Sequence, residues 1–171
     1  MIRETNEREN DAILALYPAA FPEEDLQPLV RRLLSGAADV LSLGMYEGDD
    51  LVGHVMFTTF SGAHPGDRNA AALLGPLCVH PDQHASGIGT TLVGEGFLKL
   101  TEKGIRQVFV LGDPNYYGRF GFEVEWAVLP PYPLPDEWEG AWQSRVLGEA
   151  APLSPGTCSM PEEWMDENLW R

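Results

Sequence analysis

The sequence predicts a mixed α/β fold: a mixed, mostly antiparallel sheet that contains one central parallel βαβ unit and has helices packed on it. Two β-prone runs at 40–46 and 51–60 are separated by acidic and glycine residues, which is typical of a β-hairpin. A third apolar run at 71–79 is followed by a glycine-containing loop, a helical pattern and another β-prone run at 105–111. Strand, helix and strand in this order form a βαβ unit, whose two strands are parallel. A hairpin and a crossover in one chain therefore indicate a mixed sheet.

Two helices are predicted ahead of the hairpin. Residues 1–5 can supply a short edge strand, and residues 6–20 carry apolar side chains at helical spacing. Pro18 lies within that stretch, so we expect this helix to end near Tyr17. A second helical pattern runs over 23–35 and ends before a glycine.

The chain after the crossover helix is rich in aromatic residues and then in proline. A strand is predicted at 122–128, followed by a stiff proline loop at 130–135 that cannot pair inside a sheet. A last strand is expected at 142–147. We expect residues 1–150 to form one domain and residues 151–171 to form a tail packed on it.

Composition limits the classes of partner. Eleven Lys and Arg residues against 26 Asp and Glu residues give a formal charge of -15. Such a balance argues against binding nucleic acid or an anionic membrane through a broad surface. It would favour a cationic small substrate, although solubility or adaptation to salt explains it equally well. Tryptophans near the C-terminus, expected to be exposed, would suit a homodimer interface.

The cysteine and histidine residues predict neither a disulfide framework nor a metal site. Cys78 lies in an apolar strand and Cys158 in the tail, and the four histidines are scattered. The N-terminus lacks a signal-peptide pattern, and no apolar run has the length of a membrane span. These features indicate a cytoplasmic protein with reduced, structural thiols.

The stretch from Leu73 to Phe97 predicts a phosphate-binding cradle. An apolar strand leads into a loop with Gly87 and Gly89, and a helix follows. Backbone N–H groups at a helix start carry partial positive charge, and glycine lets an anion approach the main chain closely. The backbone amides from Ala85 to Thr90 are therefore candidates to bind phosphate. The alternative is a glycine turn that only packs a helix onto the sheet.

Two segments in this order, LCVHPDQHASGIGTTLV at 77–93 and GDPNYYGRFGF at 112–122, resemble the GNAT superfamily of N-acetyltransferases. The resemblance implies helices on both faces of the sheet and acetyl-CoA as co-substrate. It also implies that the strand ending at Val79 splays from its neighbour and that its backbone holds the pantetheine arm. His84 stands where the family's phosphate signature usually has Gln or Arg. The coenzyme-binding residues implied are Leu77, Cys78, Val79, His84, Ala85, Ser86, Gly87, Ile88, Gly89, Thr90 and Asn115.

The second segment contains the residue that the resemblance implies as general acid. Tyr117 precedes Gly121 and Phe122 in a YxxxGF pattern, where the tyrosine would protonate the departing coenzyme A thiolate. A phenol with an ordinary pKa of about 10 is protonated at neutral pH and can donate to a thiolate. Tyr116 is the alternative acid. Arg119 could contact a phosphate or the acceptor, or form a surface ion pair.

The sequence does not identify the base that deprotonates the acceptor, a small-molecule or peptide amine. The candidates are Asp113, His54, His80, Glu23, Glu24 and Asp25. Each also has an ordinary structural role open to it, such as capping a helix or occupying a solvated surface. Two other functions stay open: a non-catalytic acyl-CoA binding or sensing module, and a structural protein that binds a partner.

Overall fold

A computed structural model describes residues 1–83 and 86–171 of the chain. The strands are β1 (Ile2–Glu4), β2 (Val40–Glu47), β3 (Asp50–Phe60), β4 (Ala71–Val79), β5 (Gln107–Leu111), β6 (Glu123–Val124), β7 (Val128–Leu129), β8 (Trp142–Val146) and β9 (Gly156–Thr157). The α-helices are α1 (Asn10–Ala20), α2 (Gln27–Ser35), α3 (Ile88–Glu102) and α4 (Pro114–Tyr117). Within the described residues, seven strands form one sheet in the order β1-β2-β3-β4-β5-β8-β6.

The sheet confirms the predicted fold class. Strands β2 and β3 form the expected antiparallel hairpin, and β4 has the predicted bounds. The pair β4 and β5 is parallel and is joined by the crossover helix α3, while the other neighbours in this sheet are antiparallel. The result is a mostly antiparallel sheet with one parallel βαβ unit near its centre.

A gap opens between the two parallel strands. Strand β4 pairs with β5 only from Ala71 to Leu74, but it continues along β3 to Val79. The β3–β4 register shifts where Gly75 and Pro76 add a residue to β4. Because proline has no N–H, Pro76 cannot donate a ladder hydrogen bond at this point. The β4–β5 pairing therefore ends at Leu74, and the two strands diverge beyond it, as the family resemblance implied.

Helices cover both faces of the sheet. Leu92 and Val93 of α3 pack with Val55 and Phe57 of β3 on one face. A Cβ at Gly96 would lie 2.3 Å from the Phe57 ring, so glycine allows this close approach. On the opposite face, α1 and α2 pack over a separate cluster that contains Ile13, Leu16, Tyr17, Val30 and Cys78.

The predicted end of the first helix is wrong. Helix α1 continues through Pro18 to Ala20 instead of ending near Tyr17. A proline leaves the carbonyl four residues earlier without its helical N–H partner, which here is the carbonyl of Leu14. The Gln27 side chain supplies a replacement, since its Nε2 donates to Leu14 O over 2.8 Å. The second helix also begins later than predicted, at Gln27 instead of residue 23.

The predicted strand at 122–128 is also wrong in its extent. Two short strands, β6 and β7, replace it. Between them the Glu125 carboxylate accepts hydrogen bonds from the backbone N–H groups of Ala127 and Val128, at 2.9 and 2.8 Å. This local turn ends the pairing with β8 and directs β7 toward β9, with which it forms a parallel pair.

The tail packs against the rest of the chain through buried tryptophans. Trp164 Nε1 donates to Thr58 Oγ1 of β3 over 3.0 Å, and Trp170 Nε1 donates to Trp164 O over 3.0 Å. Trp164 and Trp170 are only 8% and 1% exposed. The expectation that C-terminal tryptophans are exposed for a homodimer is therefore wrong for both. Trp126, which precedes the proline loop, is instead the exposed one.

Two kinds of feature are absent from the described ranges. None of the helices there combines the length and the apolar character that a membrane crossing needs. No group of three or more His, Cys, Asp or Glu side chains in those ranges is placed to hold a metal ion.

Candidate active site

A cleft of about 550 Å³ lies where β4 parts from β5 and α3 begins. It brings together most of the residues that the family resemblance implied, from both sequence segments. The predicted residues in its lining are Leu77, Cys78, Val79, Ser86, Gly87, Ile88, Gly89, Thr90 and Tyr117. The predictions on His84 and Ala85 lie outside the described residues. Asn115 is exposed and does not contribute to the described lining.

The start of α3 has backbone geometry that suits the predicted anion cradle. Gly87 has a φ of 79°, in the left-handed region that glycine adopts most readily. The first helical hydrogen bond joins Thr91 N to Gly87 O over 3.0 Å. The N–H groups of Ile88, Gly89 and Thr90 precede that bond and point out of the helix end, where the helix dipole is positive.

The glycine at position 89 keeps the cradle open. A Cβ there would lie 2.9 Å from the Tyr116 hydroxyl oxygen, so any larger side chain would displace that tyrosine. Among the described residues, no atom lies within 4 Å of a Cβ built on Gly87, so there is open space beside this glycine. Backbone donors, positive dipole and open space together fit a phosphate group.

The floor of the cleft is the last part of β4. Leu77, Cys78 and Val79 follow the point at which the β4–β5 pairing ends. Burial raises the pKa of the Cys78 thiol to about 12, so this cysteine stays protonated and is a poor nucleophile. A main-chain edge beside a gap is suited to an extended ligand arm that adds like a strand.

Tyr117 stands at the opposite side of the gap, at the end of the short helix α4. Its ring lies directly on Gly112, where a Cβ would be 2.4 Å from Tyr117 Cε2. It also packs edge-on against the Tyr116 ring, with centroids 5.0 Å apart. Burial raises the pKa of the Tyr117 phenol well above its ordinary value, and the neighbouring Tyr116 adds to the rise. The hydroxyl therefore stays protonated at neutral pH and can donate a hydrogen bond.

A second cavity of about 610 Å³ adjoins the first on the other side of the gap. Phe21, Leu77, Asp113 and Tyr117 line both cavities, so the two meet at the Tyr117 side chain. The second cavity has an acidic and aromatic wall. Its acidic residues are Glu24, Asp113, Glu137 and Glu139, and its tryptophans are Trp138, Trp164 and Trp170.

The structure separates the candidate bases. Asp113 lines both cavities, Glu24 lines the second, and the other acidic candidates, Glu23 and Asp25, line neither. Asp113 also caps α4, since its Oδ1 accepts from Asn115 N over 2.9 Å. His80 is not part of either described lining, and its Nδ1 accepts from Asp82 N over 3.2 Å.

His54 is removed from the site by complete burial. Its Nδ1 lies 2.6 Å from the Tyr17 hydroxyl and its Nε2 lies 2.7 Å from Ser42 Oγ. Burial lowers the pKa of His54 to about 3, so the ring is neutral and both of its nitrogens are occupied. It is a structural histidine of β3, in register with Cys78 of β4.

Some lining residues had no signal in the sequence. Ala20 lines the first cavity, and Glu137, Glu139 and Ala141 line the second. Ala20 reaches the cleft only because α1 continues past Pro18. No local pattern marks these positions, because tertiary packing alone brings them to the site.

Comparison with known proteins identifies the family to which this chain belongs. The family model described as "Acetyltransferase (GNAT) domain" matches residues 1–125, which include the gap, the cradle and Tyr117. The chain belongs to the GNAT acetyltransferases. The predicted family and the predicted enzyme class, an acyltransferase, are thereby confirmed.

Individual relatives of this GNAT acetyltransferase agree in sequence and in fold. The "Uncharacterized N-acetyltransferase YjhQ" of Escherichia coli K12 is 36% identical over 128 residues, which are 71% of this chain and 69% of the relative. The YhbS structure from Escherichia coli, determined with CoA, has a TM-score of 0.85 at 27% identity, over 96% of this chain and 91% of that one. A Brucella melitensis GNAT structure with acetyl-CoA has a TM-score of 0.74 at 26% identity, over 96% and 97%.

Proposed function

We propose that this GNAT acetyltransferase transfers an acetyl group from acetyl-CoA to a primary amine of a small molecule or peptide. The observation that carries this proposal is the meeting of two cavities at Tyr117. One cavity contains the anion cradle and suits the coenzyme. The other has an acidic and aromatic wall and suits a cationic amine. Transfer would occur by direct attack of the amine on the thioester where the cavities join.

The donor side is assigned to the first cavity. The N–H groups of Ile88, Gly89 and Thr90 would bind the pyrophosphate of acetyl-CoA. The β4 edge from Leu77 to Val79 would hold the pantetheine arm as an added strand. Bound acetyl-CoA supplies the activated acetyl group. The protein residues bind it, orient it and manage the protons.

Two residues of the α4 segment would move the protons. A primary alkylammonium is charged at neutral pH and cannot attack until it loses a proton. We assign Asp113 as the group that accepts this proton, directly or through a water, because it lines both cavities beside Tyr117. As the new C–N bond forms and the C–S bond breaks, the Tyr117 hydroxyl donates its proton to the leaving thiolate. An alkylammonium loses two protons on becoming an amide. Asp113 accepts the first before attack. The second leaves the nitrogen after the C–N bond has formed and, directly or through water, replaces the proton that Tyr117 gives to the sulfur, so the step balances.

The experiment that tests the function measures thiol release from acetyl-CoA across a panel of primary amines. Release that depends on the amine supports transfer. Tight coenzyme binding without release from any amine would instead support a sensing module. Absence of thermal stabilisation by acetyl-CoA would contradict both, since a ligand that binds only the folded state must raise its stability.

The Tyr117→Phe variant tests the assigned acid. We expect kcat to fall about 100-fold, within the range that general acid catalysis contributes. The dissociation constant for CoA should stay unchanged, because the ring and its packing on Gly112 are retained. Tyr132→Phe, in the proline loop away from both cavities, is the matched control and should keep wild-type kcat. Wild-type turnover in Tyr117→Phe would remove the residue as acid.

A further inference from the structure

Arg119 is the cation of the coenzyme cleft. Among the described residues that line the first cavity, it is the only one with a positively charged side chain. The sequence left open whether this arginine forms a surface ion pair. Four ion pairs are found in the described part of the chain, and Arg119 takes part in none of them.

Two contacts hold the Arg119 side chain over its neighbour. Its Nε donates to Tyr116 O over 3.0 Å, and its guanidinium carbon lies 4.5 Å from the centroid of the Tyr116 ring. Stacking of a guanidinium on an aromatic face and a bond through Nε leave the two terminal nitrogens available to bind a ligand. These nitrogens form the planar fork that binds phosphate oxygens in pairs.

The same tyrosine places this fork beside the anion cradle. The Tyr116 hydroxyl lies next to Gly89, at the start of α3, while the face of the ring carries Arg119. The Tyr116 side chain therefore lies beside both the start of α3 and the Arg119 guanidinium. Tyr116 thus connects the backbone N–H groups at the start of α3 with the charged side chain of Arg119.

The overall charge of the chain makes a local cation important. With a formal charge of -15, the protein repels an anionic ligand at long range. The phosphates of a coenzyme A molecule are strongly anionic at neutral pH. Backbone N–H groups provide only partial charges, so a full positive charge close to the ligand would offset much of this repulsion.

We propose that Arg119 binds a phosphate of acetyl-CoA through its terminal nitrogens and gives this enzyme its preference for the phosphorylated coenzyme. This inference rests on the proposed donor site. The phosphate is either the pyrophosphate or the ribose 3′-phosphate. Tyr116 acts as the positioning residue that holds the guanidinium in place.

The test compares the affinities of three ligands for the wild type and Arg119→Ala by titration calorimetry, with NMR for the weakest. The ligands are CoA, dephospho-CoA, which lacks the 3′-phosphate, and pantetheine, which has no phosphate. We expect the variant to bind CoA about 10- to 100-fold more weakly, as for loss of a charge-assisted bidentate contact. Pantetheine affinity should not change. Arg119→Lys should recover part of the loss, because it restores the charge without the fork.

The pattern of losses identifies the phosphate. A loss for CoA alone assigns Arg119 to the 3′-phosphate, and an equal loss for CoA and dephospho-CoA assigns it to the pyrophosphate. Arg31→Ala on the exposed face of α2 changes the net charge equally and should leave all three affinities unchanged.

Three results would overturn the inference: an unchanged CoA affinity in Arg119→Ala, an equal loss in Arg31→Ala, or an equal loss for pantetheine. Failure of the wild type to bind CoA would instead contradict the proposed function itself. The two failures are therefore distinguishable.

Discussion

The two cavities that meet at Tyr117 are built in different ways. The first draws on β4, the start of α3 and α4, whose key residues lie within two short sequence segments. The ligand-binding groups that we propose for it are mainly backbone N–H groups and a strand edge. The second is assembled from the α1–α2 joint, β4, residues 111–114, residues 137–141 and the C-terminal tail. Its polar groups are side chains on these separate segments.

This difference explains why one half of the site can be recognised in the sequence and the other cannot. A site made of main-chain donors needs glycines at fixed positions, because Gly87 requires a positive φ and Gly89 must leave room for Tyr116. A wall made of side chains from distant segments imposes no spacing on any of them. A coenzyme site of this kind therefore imposes a recognisable motif on the sequence. An acceptor site made of distant side chains is reflected only in the amino-acid composition.

Asp113 belongs to both cavities, so its replacement has the largest expected effect in this comparison. Asp113→Asn keeps the α4 cap, since asparagine also accepts from a backbone N–H. It cannot take a proton from the acceptor. We expect kcat at neutral pH to fall about 100-fold with CoA affinity unchanged. The loss should shrink as the pH approaches the acceptor's own pKa, about 10 for an alkylamine, because the amine then arrives unprotonated.

Asp113→Ala separates catalysis from capping. It removes both the carboxylate and the cap, so it should match Asp113→Asn in kcat and show an additional loss of thermal stability. If Asp113→Asn keeps wild-type turnover while only Asp113→Ala loses it, Asp113 is a cap alone. Glu24, the other candidate base that lines the second cavity, would then be the residue to test.

Gly87→Glu tests the backbone-built half alone. The new side chain would place a carboxylate in the open space at the helix start, against the coenzyme phosphates, and would strain a residue with a φ of 79°. We expect the dissociation constant for CoA to rise about 30-fold, as for an unfavourable like-charge contact of about 2 kcal/mol. The KM for the amine, measured at saturating acetyl-CoA, should stay unchanged.

Gly94→Glu is the matched control for the added charge. It lies in the same helix, is exposed, and has no atom within 4 Å of its built Cβ. Its CoA affinity should equal that of the wild type. An equal weakening in both variants would show that net charge, rather than the cradle, controls binding. Thermal unfolding of both proteins would reveal any loss of the fold.

The fold and the proposed donor half both rest on local sequence signals. Strand β4 was predicted with its observed bounds, because an apolar run ended by His80 and Pro81 has clear limits. The end of α1 was not predictable, because it depends on Gln27 reaching back to the Leu14 carbonyl. Such a rescue of a proline-interrupted helix is a tertiary contact and has no local pattern.

The acceptor half shows the same limit at the level of the site. Trp164 and Trp170 were expected on the surface, but both indole N–H groups donate hydrogen bonds inside the protein. Trp164 donates to the Thr58 hydroxyl, and Trp170 donates to the backbone carbonyl of Trp164. These hydrogen bonds form only when the tail folds onto the sheet. The same holds for the wall that the tryptophans share with Glu137 and Glu139. The sequence therefore predicted an amine acceptor without predicting the surface that receives it.

The smallest expected effect tests that surface. Glu137 and Glu139 are exposed carboxylates of the second cavity, so each contributes only screened attraction to a cationic amine. The double variant Glu137→Gln, Glu139→Gln should raise the KM for a diamine about 3- to 10-fold and leave CoA affinity unchanged. The increase should be smaller for a monoamine, whose single charge sits near Asp113 during transfer, and it should shrink in high salt.

The neighbouring Asp136 provides the control for this double variant. It lies in the same short segment but does not line the second cavity. It lines a separate cavity beside the proline loop at 130–135. Asp136→Asn should therefore keep the wild-type KM for both amines. If it raises the diamine KM as much as the double variant does, the general negative field of the chain attracts the acceptor. A specific effect at Glu137 and Glu139 would instead show that the second cavity, although without a sequence motif, selects substrates by charge at defined positions.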